Sequence, residues 1–151
     1  MKREDILVAV VDGQGGGIGK SLVEKLKRAW PDLHVRALGT NAEATGRMLR
    51  AGADDGATGE NAVVVNAGKA HIILGVVTIL ASGGLLGEIT PAMARAIGES
   101  DGLKILIPTE RCRIRLPIEG GSTTSFLDRA VELAGEEAAR LARAEPADAD
   151  T

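Results

Sequence analysis

The chain has 151 residues, with 18 Lys and Arg against 21 Asp and Glu, and 44% of it is apolar. That length suits one domain that buries about two-thirds of its unfolded surface and needs no disulfide or metal to hold it. A net charge of −3, aromatics limited to Trp30 and Phe126, and no tyrosine leave neither a basic patch nor stacking platforms, which argues against a nucleic-acid partner.

In chain order, the charged start MKRED runs into a strand of only about seven residues, too short and too acidic at its flank for a signal peptide. Ile6 to Val11 (ILVAVV) reads as a buried parallel strand. Ile18 to Trp30 carries Leu22, Val23, Leu26 and Trp30 at helical spacing. Pro31 and Asp32 break the pattern, and Leu33 to Leu38 reads as a second strand. Gly39, Thr40 and Asn41 open a helix over Ala42 to Arg50, with Thr45, Met48 and Leu49 on its inner face and Gly52 at its end.

Ala53 to Gly59 has room for a very short strand, and Glu60 to Ala67 is read as a helix despite its three valines. His71 to Leu74 is a strand that breaks at Gly75. The run HIILGVVTILASGGLLG approaches the roughly 20 residues of a membrane span, but its four glycines favour a buried strand followed by a loop and helix. Thr90 and Pro91 mark a helix start, as N-cap and first turn, leading to Gly98. Leu103 to Ile107 is a further strand closed by Pro108, and Cys112 to Ile118 (CRIRLPI) alternates as an edge strand would. A long helix then runs from near Thr124 to about Arg143, with Phe126, Ala130, Val131, Ala134, Ala138 and Leu141 as its apolar stripe. The acidic tail EPADADT is expected to be disordered.

Alternating strands and helices imply an α/β, Rossmann-like fold, a mostly parallel sheet with helices on both faces. The expected division is a nucleotide-binding-type domain over 1–121, a C-terminal helix over 122–143 packed on that domain or on a partner subunit, and a tail over 144–151. Cys112 is the single cysteine, which excludes an intrachain disulfide and fits a reducing cytoplasm.

The segment that points to a ligand is DGQGGGIGK, from Asp12 to Lys20, between the first strand and the first helix. Such a turn aims free backbone N–H groups and the positive end of a helix dipole at whatever lies above it, and glycine lets a phosphate approach the backbone closely. Three phosphate-loop patterns can be laid on it. GxGxxG started at Gly13 meets Ile18 where its third glycine belongs. GxxxGxG fits through Gly13, Gly17 and Gly19 and is the best match, the turn of short-chain dehydrogenase-like Rossmann domains; without tyrosine the chain lacks that family's Tyr-x-x-x-Lys pair and its chemistry. GxxxxGK[ST] uses Gly19, Lys20 and Ser21 but meets Gln14 in place of its first glycine, and no second apolar strand ends in the aspartate that would hold Mg²⁺, since the later strands end at Gly75 and Pro108.

The ligand-binding set read from the sequence is therefore Gly13, Gln14, Gly15, Gly16, Gly17, Ile18, Gly19 and Lys20, with Thr40 and Asn41 at the end of the second strand as sugar contacts. A dinucleotide site expects a carboxylate there, and capping of the next helix is an equal alternative for Thr40 or Asn41. Arg36 could meet a 2′-phosphate if it faces the crevice. Ligands in open parallel sheets sit outside the carboxyl ends of the strands, which adds Gly75 to Thr78 and Thr109 to Cys112 to the neighbourhood. Asp12 and Glu88 are the only candidate acids or bases, with turn capping and helix entry as their structural alternatives. Arg111 and Arg113 could lower the pKa of Cys112, but no histidine is clearly associated with it. His34 and His71 stand in strands, and no cluster has metal-ligand spacing, so no metal is expected.

The segments DGQGGGIGK (12–20), ALGTN (37–41), AGADDGATGENAVVVNA (51–67), LGEITPAMA (86–94) and ILIP (105–108) together resemble an uncharacterised bacterial family of short proteins known only as a domain of unknown function. The resemblance covers about Ile6 to Ile118 and leaves the last helix as an addition. It implies a compact Rossmann-like domain and lends no catalytic residue. The expectation is a cytoplasmic, non-membrane, homo-oligomeric protein holding a small phosphate-bearing ligand, NAD(P) or another nucleotide, at the glycine loop. Whether it is an enzyme is left open. The alternatives are an oligomeric ligand-sensing or interaction module that assembles through Val76 to Leu86 and the last helix, and a P-loop-like nucleotide triphosphate binder.

Overall fold

The computed structural model describes residues 1–144; the tail at 145–151 lies outside them. Five strands, β1 (Leu7–Asp12), β2 (His34–Gly39), β3 (Asp55–Thr58), β4 (Ile72–Val76) and β5 (Leu103–Ile107), form one sheet in the order β3-β2-β1-β4-β5. Every neighbouring pair is parallel. The connecting helices are α1 (Gly17–Ala29), α2 (Ala42–Arg50), α3 (Glu60–Ala67) and α4 (Pro91–Glu99), and α5 (Thr123–Arg143) follows the last strand.

Strand residues alternate between two buried faces, so β1 reads as continuous hydrophobicity. Val8, Val10, Val35 and Leu74 pack with Leu22 and Leu26 of α1, Met48 of α2, and Ala134 of α5. Ala9, Val11, Leu38 and Ile73 pack with Val63 of α3 and with Met93 and Ile97 of α4. Helices on both faces are what a parallel sheet needs to bury its hydrophobic sides. From β1 the chain winds outward to β3, then crosses back to β4 on the other side of β1. The carboxyl ends of β1 and β4 therefore diverge, leaving a crevice above them.

The expected edge strand at Cys112 to Ile118 does not form. Cys112 and Arg113 take φ of 56° and 58°, left-handed values that turn the chain instead of extending it. The sheet ends at β5 on that side and is fully parallel. Two smaller corrections concern packing. The inner face of α2 is Ala44, Thr45 and Met48, while Leu49 is 41% exposed. Strand β4 also continues through Gly75 to Val76, because a Cβ at Gly75 would lie 2.8 Å from the Val11 carbonyl oxygen, and glycine alone lets the strands pass. Among the described residues no helix is long and apolar enough to cross a membrane.

The stripe of α5 lies on the chain's own core: Leu127, Ala130, Val131, Ala134 and Ala138 are buried there. Ser122 and Ser125 close a reciprocal capping box at its start. Trp30, at the end of α1, donates its indole N–H to the Val131 carbonyl at 2.9 Å and fills the notch left by Gly135, where a Cβ would come within 2.2 Å of the ring. We predict that Gly135→Leu costs about 1–3 kcal/mol through overpacking, read in denaturant unfolding. Because Trp30 is the sole tryptophan, the same change shifts its fluorescence toward that of an exposed indole.

Candidate functional site

Above the ends of β1, β4 and β5 lies a cavity of about 360 Å³. The glycine loop from Asp12 to Ile18 forms its β1 side, Val76 and Thr78 its middle, and Ile107 with Arg111 its β5 side. The loop is held from below by Asp12, which is 6% exposed. Its Oδ1 accepts from the Gly13 N–H at 2.8 Å and its Oδ2 from the Gly19 N–H at 2.6 Å. Burial pushes the Asp12 carboxyl above the usual carboxylate range, against the opposing pull of these two amides. Capping the turn is thus the role the structure gives Asp12.

The glycines of the loop divide into two kinds. Gly16 has φ of 71°, and a Cβ there would approach the Ala44 Cα to 2.9 Å. A Cβ on Gly19 would lie 2.6 Å from the Met48 sulfur, and one on Gly13 would lie 2.4 Å from Thr40 Oγ1. Those three are required by the fold. Gly17 is not: nothing stands within 4 Å of where its Cβ would be, and its φ is ordinary for a helix. The amides divide in the same way. Gly13 and Gly19 donate to Asp12, Gln14 to Glu88 and Gly16 to the Gly13 carbonyl, whereas the N–H groups of Gly15, Gly17 and Ile18 find no acceptor among the described residues. Gly17 and Ile18 open α1, where unpaired amides and the helix dipole favour an anion.

On the β2 side the crevice is filled by the chain itself. The segment between Leu80 and Thr90 folds over the strand ends, with Leu85 and Leu86 both at φ of 54°. It delivers the Glu88 carboxylate to three donors: the Gln14 N–H at 3.0 Å, the Thr40 hydroxyl at 2.8 Å and the Asn41 side-chain amide at 2.7 Å. Burial raises the Glu88 pKa, but the hydrogen bonds from Asn41, Thr40 and Gln14 outweigh it and hold the carboxyl below the usual range. Asn41 also caps α2, accepting from the Ala44 N–H at 2.9 Å.

Several expected contacts are consequently elsewhere. Thr40 and Asn41 serve Glu88 and α2 and do not line the cavity. Lys20 faces outward beside Glu24, 3.9 Å away. Arg36 forms a two-pronged pair with Asp55, at 2.7 and 2.8 Å, and reaches Asn66, away from the crevice. His34 shares Asp55, and His71 accepts from the Leu7 N–H at the opposite end of the sheet. Cys112 is exposed. Among the described residues no group of three or more His, Cys, Asp or Glu is placed to hold a metal ion. The strand-end rule reaches Thr78 and Arg111; it does not reach Leu85 or Thr123, whose positions depend on how two loops fold back.

Glu88 pins three segments, so Glu88→Gln is expected to cost about 1 kcal/mol near neutral pH. The sign of the pH effect follows from its lowered pKa. Its bonds contribute above the ordinary glutamate value of about 4.3 and are lost as pH falls through the lower native value. Asp12 acts oppositely, since its raised pKa favours folding in the protonated form and that contribution fades as pH rises. Between about pH 6 and pH 3 the variant should therefore lose less unfolding free energy than the wild type; equal losses would show that Glu88 is not held as described.

Residues 7–141 match the sequence model of a family described as a domain of unknown function, DUF3842. The match includes α5, so the last helix belongs to the family pattern and is no addition to it. No curated protein matches the chain. Among solved structures, a universal stress protein in complex with cAMP is similar at 22% identity and a TM-score of 0.38, over 66% of this chain and 95% of that one. With nine-tenths of its length matched, the protein belongs to the DUF3842 family.

Proposed function

We propose that this protein binds a small phosphate-bearing ligand of mononucleotide size in the cavity above β1, β4 and β5. The observation that carries this reading is the pairing of free amides with free space. The N–H groups of Gly15, Gly17 and Ile18 are unpaired at the start of a thirteen-residue helix, and Gly17 keeps open a volume that the fold itself does not need. A phosphate seated there satisfies the amides and meets the positive end of the α1 dipole.

The size follows from what is closed. A dinucleotide laid across such a sheet places its first ribose at the end of β2, and here Glu88, Thr40 and Asn41 occupy that place. The remaining 360 Å³ is at the low end of the roughly 300–1,000 Å³ of small-molecule sites. Binding is favoured over catalysis because both candidate acids are engaged. Asp12 spends its two oxygens on the loop and Glu88 accepts from three donors, so neither is poised to move a proton.

The test is thermal unfolding with AMP, GMP, ADP, GDP, NAD and NADP in turn. A ligand at about 100 times its Kd stabilises the native state by about 2.7 kcal/mol, several degrees for a chain of this length. A mononucleotide should give that shift and NAD should not. Gly17→Val should unfold within about 1 kcal/mol of the wild type, since its side chain enters open space, yet lose the ligand shift. No shift from any compound would overturn the reading.

A further inference from the structure

We propose that Arg47 is the positioning residue of the phosphate site: from α2 it holds the Gly15 carbonyl, fixes the turn that presents the free amides, and places a balancing positive charge beside them. The inference rests on the phosphate-binding reading of the glycine loop and adds what orients that loop and what offsets the acids around it.

The first observation concerns the carbonyl oxygens of the loop, which repel a phosphate wherever they share its side. Three of them are drawn elsewhere. The Gln14 oxygen accepts from the Asn41 side-chain amide at 3.0 Å, the Gly15 oxygen from the Arg47 guanidinium, and the Gly13 oxygen from the Gly16 N–H at 2.9 Å. Asn41 caps α2 and Arg47 lies within it, on the β2 side, whereas the cavity opens over β1, β4 and β5. In a trans peptide the C=O and the N–H point in opposite directions. Holding the Gln14 oxygen toward α2 therefore turns the Gly15 N–H away from α2. Holding the Gly15 oxygen there turns the Gly16 N–H back onto Gly13. The turn needs such holding, because Gln14 takes φ of 48°, a left-handed value that side chains disfavour.

The second observation is charge. Two carboxylates attend the loop, Asp12 beneath it and Glu88 on the Gln14 amide, and both oppose a phosphate. Beyond burial and its two amides, the Asp12 carboxyl feels Glu88 and Arg47 with opposite sign, Glu88 raising its pKa and Arg47 lowering it. The guanidinium thus acts at the loop against the charge that Glu88 brings. Among the described residues its hydrogen bond goes to a carbonyl and no carboxylate pairs with it, so its own charge is left over. It also stands in cationic company. Lys20, Arg47 and Arg50 line one hollow of about 240 Å³ between α1 and α2, with Glu24 as the sole carboxylate there. Like charges that neighbour one another on a helix face cost stability, and an anion on the loop offsets that cost.

The experiment compares the full chain as wild type, Arg47→Met and Arg47→Lys. Amide hydrogen exchange is read by NMR without ligand, and AMP and inorganic phosphate are titrated calorimetrically. In Arg47→Met the Gly16 amide should exchange roughly tenfold faster as the turn loosens. Exchange in β1 and the denaturant midpoint should stay as in the wild type, because Arg47 lies outside the buried core. The affinity of Arg47→Met for AMP should fall roughly tenfold. Arg47→Lys keeps a donor and the charge and should recover most of both effects. Unchanged Gly16 exchange in Arg47→Met overturns the inference, since a lost charge alone then accounts for any weaker binding. Wild-type affinity in Arg47→Met also overturns it and leaves the phosphate-loop reading standing. If the wild type binds neither AMP nor phosphate, both readings fall together.

Discussion

The buried carboxylate of Asp12 is the contact on which the geometry of the glycine loop depends. It ends the central strand and grips the first and last glycine amides of the loop, so strand, turn and helix become one rigid corner. With those two amides withdrawn into the protein, Gly15, Gly17 and Ile18 are left facing outward. The same grip brings α1 down on β1, which is why Gly19 tolerates no side chain against Asp12 and Met48. Both oxygens of the Asp12 carboxylate are engaged by these amides. Its raised pKa reflects desolvation, and functional sites are not the only places where buried groups shift.

Glu88 supplies the second constraint. It is an anion provided by the chain, set on an amide of the glycine loop and on the two side chains that end β2. That arrangement closes half of the crevice that a doubly wound sheet opens above its point of reversal. The half that remains lies over β4 and β5, where the wall is mixed: apolar side chains, backbone amides and one arginine. The fold is shared by proteins of many activities, so the closure of one side carries more functional content than the strand order.

Much of the architecture was legible in the residues. Continuous apolar runs marked β1, β4 and β5, the 3.6-residue stripe marked α1 and α5, and Thr90 with Pro91 placed the start of α4 to the residue. Those signals are local, and tertiary packing did not override them. The segment at Cys112 to Ile118 misled because alternation of apolar and basic residues is also what a surface loop produces, and two left-handed residues decided against a strand. The position of Thr40 and Asn41 at the end of β2 suits a sugar contact or a helix cap equally; Asn41 does cap α2, while the carboxylate to which both side chains donate comes from 47 to 48 residues further along.

The sequence by itself determined the α/β class, the glycine-rich corner after the first strand and the membership in a family, because each depends on residue type and short-range spacing. The tertiary structure alone decided which glycines are needed for packing and which leave space, which amides remain free, and that Glu88 closes the β2 side. These are relations between atoms brought together by the crossover from β3 back to β4, and no local pattern along the chain encodes where two loops from opposite halves of a sheet will meet.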